Sequence, residues 1–158
     1  MAPAIDALAA HTYIDENGAE QPWLTEAEHT NLSVRKGTLT AAERQIMESH
    51  VVVTAKILEQ VSFLEEYAHV PEWAAAHHEL LNGKGYPDHR GAETLSKEVR
   101  LLTILDVFDA FTARDRPYTP PMPVEKALSI LHSMVEDGSL DGEVLALFEE
   151  SKAWEVSV

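Results

Sequence analysis

Residues 96–114, SKEVRLLTILDVFDAFTAR, predict a long helix and, with it, the fold class. Ser96 can cap the first turn, apolar positions recur at helical spacing, and the pattern ends before Pro117. Two further helical segments follow, PVEKALSILHSMVED and LDGEVLALFEES. We therefore predict an all-α domain of about five to six helices.

Two more helices are predicted upstream of this segment. Thr40 and Glu43 form a capping-box pattern that opens a helix of about twenty residues. Pro71 can begin the next helix, PEWAAAHHELL, which ends where Asn82 and Gly83 supply turn chemistry. The first of these helices carries an apolar stripe that should face inward, made of Ile46, Val53, Ile57 and Val61.

The N-terminal stretch YIDENGAEQPW has a different pattern. Its Asn17-Gly18 pair is typical of a two-residue hairpin turn, and aromatic or β-branched residues flank it on both sides. A small β-hairpin and an irregular loop are both compatible with these residues, because the polar arms do not alternate cleanly.

Composition restricts the function classes. The chain has 158 residues, no cysteine and a formal net charge of −15. A size of this order suits one domain, and any metal must bind to histidine, carboxylate or water. The acidic charge argues against a nucleic-acid polymer as partner. Neither a secretory signal nor a membrane helix is predicted, so we expect a cytoplasmic location.

The basic residues are unevenly distributed. No Lys or Arg precedes Arg35, whereas residues 84–116 contain six of the twelve in the chain. These six are either solvated helix ends and loop positions or a cluster that faces an anion. Sequence order alone leaves both interpretations open.

Four polar residues occupy positions that are unusual for a core. His50 falls on the apolar stripe, Asp106 lies among apolar residues, and His77 and His78 are adjacent. An inward histidine taken alone is more often a hydrogen-bonded core residue, but a buried aspartate needs a cation or donors. Three imidazoles and a carboxylate from three helices suit Fe, Mn, Ni or Zn. Glu79 and Asp109 could orient the imidazoles, or could be solvated acids.

The stretch HHELLNGKGYP (77–87), followed by LLTILDVFDAFTARDRPY (101–118), resembles the C-terminal signature of the HD-GYP family of bacterial phosphohydrolases. The similarity extends upstream to KGTLTAAERQIMESH (36–50) and covers roughly residues 32–150. It implies an extension at 1–31, a partial HD-GYP domain at 32–150 and a tail at 151–158. It also implies an all-helical HD-type fold and, in active members, hydrolysis of cyclic di-GMP at a centre with more than one metal ion.

The resemblance also implies roles for individual residues. It assigns His50, His77, His78 and Asp106 as metal ligands, and Gly83, Gly85, Tyr86 and Pro87 as the motif loop. That loop would shape a nucleotide site or bind a protein partner. Lys84, Arg114 and Arg116 could contact phosphate or guanine oxygens of a cyclic dinucleotide.

The chain departs from the family pattern in two places. It contains no adjacent His-Asp pair, and Asn82 stands where the family usually has aspartate. Before Arg35 the only histidines are His11 and His29. Either the chain is a fragment of a larger phosphodiesterase, or it is a degenerate signalling or interaction module without catalysis. We expect the fragment, and we expect it to be weak or inactive alone.

Overall fold

The structure, a computed structural model, describes residues 2–34, 37, 39–113 and 120–155. The chain forms two compact units, residues 1–47 and residues 48–158. The predicted all-α class is confirmed, since helices dominate and the sheet within the described ranges has only two short strands. Of the helices in these ranges, none has both the length and the apolar content needed to cross a bilayer.

The first unit contains the predicted hairpin. Strand β1 (Thr12–Ile14) pairs antiparallel with β2 (Glu20–Pro22). The connection is longer than the predicted two-residue turn, because Asp15 and Ala19 form the closing pair and Gly18 adopts a φ of 81°. The Asp15 carboxylate accepts the N–H groups of Asn17 and Ala19, both at 2.9 Å, and so stabilises the three-residue loop.

Two short helices of this unit were not predicted, α1 (Ala2–Ala9) and α2 (Glu26–Leu32). The signal for α2 was present, since Thr25 and Glu28 form a capping box like the one at Thr40. The Thr40 box itself opens α3 (Ala41–Glu48), with the Glu43 carboxylate 2.8 Å from the Thr40 backbone nitrogen.

The predicted twenty-residue helix is wrong in length and orientation. It is interrupted at Ser49, and α4 (His50–Leu58) follows α3 as a separate helix. Helix α4 packs on α5 (Val70–Ala76), and its buried residue is Val51 rather than a member of the expected stripe. The stripe faces solvent instead, with exposed fractions of 73%, 52%, 60% and 50% for Ile46, Val53, Ile57 and Val61.

The C-terminal helices agree with prediction. They are α6 (Lys97–Thr112), α7 (Val124–Glu136) and α8 (Gly142–Ser151), and Ser96 caps α6 as expected. Their apolar faces form the main core, made of Ile104, Phe108, Ala127, Leu131, Leu140, Val144, Leu145 and Phe148. A smaller cluster of Ala76, Leu95 and Val99 packs the end of α5 against the start of α6. The segment that follows α5 is thereby held beside α6.

Candidate metal centre

Helix α5 ends earlier than predicted. Its last residue is Ala76, so His77 and His78 lie in the turn that follows instead of on the final helical turns. The Glu79 N–H donates to the Ala76 carbonyl at 2.8 Å, and the His77 imidazole donates Nδ1–H to the Ala74 carbonyl at 2.7 Å. These bonds satisfy carbonyls of the last turn and allow the chain to leave the helix.

Three imidazoles meet at the start of α4 and the end of α5. His50, His77 and His78 each offer one ring nitrogen, and these atoms all lie within 4.8 Å of one another. The Nε2 atoms of His50 and His78 are 3.1 Å apart. His50 is exposed rather than inward-facing, because the stripe to which it belongs faces solvent. The structure thus brings together three of the four predicted ligands.

The donor chemistry of the cluster fits a divalent metal. With its Nδ1–H donated to the Ala74 carbonyl, His77 keeps the lone pair of Nε2 available. Metal-binding histidines are commonly oriented in this way by a backbone carbonyl. Nitrogen donors at this mutual distance can share one ion of the kind that imidazole prefers.

Asp106 is placed differently from the expectation. Its side chain is 42% exposed, so it is not the buried carboxylate that its apolar neighbours on α6 predict. Its Oδ2 atom lies 3.5 Å from Nδ1 of His78, whereas Nε2 of His78 faces His50. Asp106 therefore contacts the opposite nitrogen of the ring and lies outside the three-imidazole cluster.

The environment of His78 favours the neutral imidazole. Burial lowers its pKa, and the neighbouring His77 and His50 lower it further, while Asp106 opposes the shift. The net direction is downward from the ordinary value of 6.5. A neutral ring is the form that binds a metal, so the site keeps His78 competent near neutral pH.

The motif loop folds back onto the histidine pair. A Cβ on Gly85 would lie 2.4 Å from the backbone nitrogen of Leu80 and 2.5 Å from the His78 carbonyl oxygen, so no other residue fits there without movement. The Tyr86 N–H donates to the His78 carbonyl at 3.2 Å, and its ring stacks on the His78 ring with centroids 4.7 Å apart. Gly83 adopts a φ of 71°, and the Tyr86–Pro87 peptide is cis.

Asn82 supports the base of this loop. Its Oδ1 accepts the Lys84 N–H at 3.0 Å, and its Nδ2 donates to the Ser139 hydroxyl at 2.9 Å. An amide supplies both an acceptor and a donor, so asparagine is well matched to this position. The Lys84 side chain is exposed beside the loop.

Glu79, one of the two acids predicted to orient the imidazoles, has backbone partners instead. Glu79 is 1% exposed, and its two carboxylate oxygens accept the N–H groups of Asp88 and Arg90 rather than contacting a ring. Sequence reasoning missed this role, because nothing local marks bonds that span nine and eleven residues. Asp109 is exposed and lines a cavity of about 360 Å³ with Phe108 and Trp154. Arg114 and Arg116 lie outside the described residues.

Comparisons with known proteins identify the family of the chain. Residues 27–144 match the family model described as HD domain. The chain is 34% identical over 117 residues to the 3'3'-cGAMP-specific phosphodiesterase 3 of Vibrio cholerae serotype O1. The aligned residues make up 74% of this chain and 24% of that protein.

Two other relatives carry names for a related activity. The cyclic di-GMP phosphodiesterase response regulator RpfG of Xanthomonas campestris pv. campestris is 32% identical over 102 residues, 63% of this chain and 26% of its own length. A cyclic di-GMP phosphodiesterase of Thermotoga maritima is 31% identical over 103 residues, which are 64% of this chain and 27% of that protein. The match spans about a quarter of each relative's length. Because the family model covers most of the sequence, the chain belongs to the HD domain family.

Proposed function

We propose that this chain is part of a metal-dependent phosphodiesterase domain that hydrolyses a cyclic dinucleotide. The observation that carries the proposal is the meeting of His50, His77 and His78, with their ring nitrogens within 4.8 Å, beneath a loop that fits only glycine at position 85. Relatives with the names of cyclic di-GMP and 3'3'-cGAMP phosphodiesterases support the substrate class.

The three imidazoles would hold a divalent ion, and Fe, Mn, Ni and Zn all accept nitrogen donors of this kind. Such an ion supplies Lewis acidity, which polarises a phosphate and lowers the pKa of a bound water. His77 is oriented by the Ala74 carbonyl, and His78 is held between Tyr86 and Asp106. Asp106 adds negative charge beside the cluster, as a ligand or through His78.

Lys84, with Arg114 and Arg116, would contact the phosphates or guanine oxygens of the substrate. Lys84 is an exposed residue of the loop whose Tyr86 stacks on His78, which suits a residue that meets an incoming anion. A protein partner at the motif loop is less well supported, because Gly85 is buried and the ring of Tyr86 stacks on His78.

Additional helices would complete the domain. Val53 and Ile57 of α4 are more than half exposed although α4 also packs against α5, and a helix that is apolar on both faces is typical of a buried position. Three imidazoles can hold one ion, but a bridged pair needs further ligands such as the His-Asp pair. We therefore propose a fragment, with the partial domain at 32–150, in a cytoplasmic signalling protein.

A hydrolysis assay tests the proposal. Cyclic di-GMP and 3'3'-cGAMP are each incubated with the chain in Mn²⁺ or Fe²⁺, alone and fused to the upstream helical segment of an HD-GYP relative. We expect negligible turnover by the chain alone and linear dinucleotide from the fusion, lost on His77→Ala. A folded, metal-loaded fusion that hydrolyses neither compound would support the noncatalytic interaction module instead.

A further inference from the structure

Glu79 is a buried carboxylate that the proposed metal site does not use directly. It follows His78 in the chain, and its side chain is among the largest that are fully buried in the described residues. Burial of a carboxylate is costly unless hydrogen bonds replace its hydration. Its partners therefore indicate why the residue is there.

Both partners of Glu79 are backbone N–H groups of the segment that follows the motif loop. Oε1 accepts from Asp88 at 2.7 Å and Oε2 accepts from Arg90 at 2.9 Å. Bonds from N–H groups to an ionised acceptor are stronger than neutral ones, and here they lie out of water. Glu79 thus closes the loop of residues 80–87 at its far end.

The closed loop places Tyr86 on His78. Gly85 packs on the backbone of residues 78–80, the Tyr86 N–H donates to the His78 carbonyl, and the two rings stack at an interplanar angle of 29°. His50 and Asp106 restrict the two ring nitrogens of His78, while Tyr86 covers its face. Tyr86 is therefore one of the contacts that hold this imidazole in place.

We propose that Glu79 is a positioning residue, which fixes Tyr86 against His78 by binding the Asp88 and Arg90 N–H groups and so sets the affinity of the site for a divalent cation. The effect on affinity rests on the proposed metal-binding function, whereas the effect on the Tyr86–His78 contact does not. Glu79 acts through Tyr86, and it contacts neither the ion nor a substrate.

The first experiment needs no metal. The whole chain is compared with Glu79→Gln by NMR, measuring the Tyr86–His78 ring contact through nuclear Overhauser effects and the exchange rates of the Asp88 and Arg90 amides. Glutamine keeps the volume but turns a donor toward one of the two N–H groups. We expect faster exchange at both amides and loss of the ring contact. An intact ring contact in a variant whose two amides exchange freely would overturn the proposal.

The second experiment measures Ni²⁺ affinity by calorimetry. We expect Glu79→Gln to weaken binding about tenfold or more, the usual effect of removing a residue that orients a ligand. In a Tyr86→Ala background the same substitution should have no further effect. Glu72→Gln is the matched control, because Glu72 pairs with the Arg90 side chain at 3.3 Å and leaves the backbone bonds intact.

The outcomes separate the two proposals. A parent chain that binds no Ni²⁺ removes the proposed metal function, and the ring contact then decides the role of Glu79 alone. A parent that binds, together with a Glu79→Gln variant of equal affinity, overturns the positioning role only. If Glu79→Gln does not fold, Tyr86→Ala decides: weaker Ni²⁺ binding supports the link through Tyr86, and unchanged binding contradicts it.

Discussion

The second unit has two sides that differ in how completely they are packed. On one side, α6, α7 and α8 enclose Ile104, Leu131 and Leu145, each at most 1% exposed. On the other side, α4 buries Val51 but leaves Val53 and Ile57 more than half exposed. The candidate metal centre draws ligands from the poorly packed side, at His50, and from the turn beside the well-packed side, at His77 and His78.

The two sides are therefore expected to contribute differently to the stability of the fold and to metal binding. The core of α6–α8 is built from apolar side chains, and none of the three histidines is part of it. Helix α4 gains less from burial, so an ion bound between His50 and the His77–His78 pair would stabilise α4 more than the rest.

The largest effect is expected in the core. Leu131→Ala removes a fully buried side chain and should lower the free energy of unfolding by about 2–5 kcal/mol. Ile57→Ala, at a side chain that is 60% exposed on α4, should change it by less than about 0.5 kcal/mol. Urea denaturation measures both. Equal losses would mean that the α4 face is covered in solution.

Metal binding should stabilise the less well packed side of the unit, which contains α4. Ni²⁺ at about 100 times its dissociation constant should stabilise the chain by about 2.7 kcal/mol. The amides of α4 should show the greatest added protection in hydrogen exchange, because His50 lies at its start. EDTA should reverse the effect and His77→Ala should abolish it. Stabilisation that survives His77→Ala would locate the ion elsewhere.

The Arg100–Asp141 pair gives the packed side a pH dependence. The atoms are 2.7 Å apart, and although burial raises the pKa of Asp141, hydrogen bonds from Arg100, Val144 and Glu143 hold it below 3.8. A depressed carboxyl pKa adds stability that is full above 3.8 and is lost as pH falls through the folded value.

Asp141→Asn keeps a helix cap but loses the charge, so the free energy of unfolding at pH 7 should fall by about 2 kcal/mol. The difference from the parent should shrink below pH 3.8, the ordinary value for this group. The exposed Asp137→Asn is the control, with little expected effect. A difference that stays constant down to acid pH would contradict the charge-based account.

Asp106→Asn should have a smaller and more local effect. Losing the negative charge beside His78 should weaken Ni²⁺ binding about tenfold, or 1.4 kcal/mol, while the urea midpoint of the metal-free chain is unchanged. Asp109→Asn, one turn later and exposed, should bind nearly as tightly as the parent. Equal weakening by both variants would support the prediction that Asp109 orients the ligands.

The sequence predicts the helices that are defined by local signals. Ser96 capping and the apolar spacing of α6 lie within a few turns, and so α6 forms as expected. Val53 and Ile57 do form an apolar stripe on α4, but they are exposed. Periodicity shows that a helix has an apolar face and does not show whether another element covers that face. For that reason the orientation of α4 could not be predicted.

The sequence likewise predicts some features of the candidate site and not others. The motif HHELLNGKGYP identifies the histidines and the loop, and the structure brings His50 to His77 and His78. The two hydrogen bonds of the Glu79 carboxylate, from the Asp88 and Arg90 N–H groups, join residues nine and eleven positions apart across the loop. Long-range hydrogen bonds of this kind leave no periodic signal in the sequence.

Anomalous diffraction from crystals grown with saturating Ni²⁺ tests the central claim most directly. The account predicts a single strong peak among the ring nitrogens of His50, His77 and His78, absent from His77→Ala crystals. Well-ordered imidazoles with no anomalous peak between them, at a metal concentration that saturates other histidine sites, would contradict the metal centre and the phosphodiesterase function built on it.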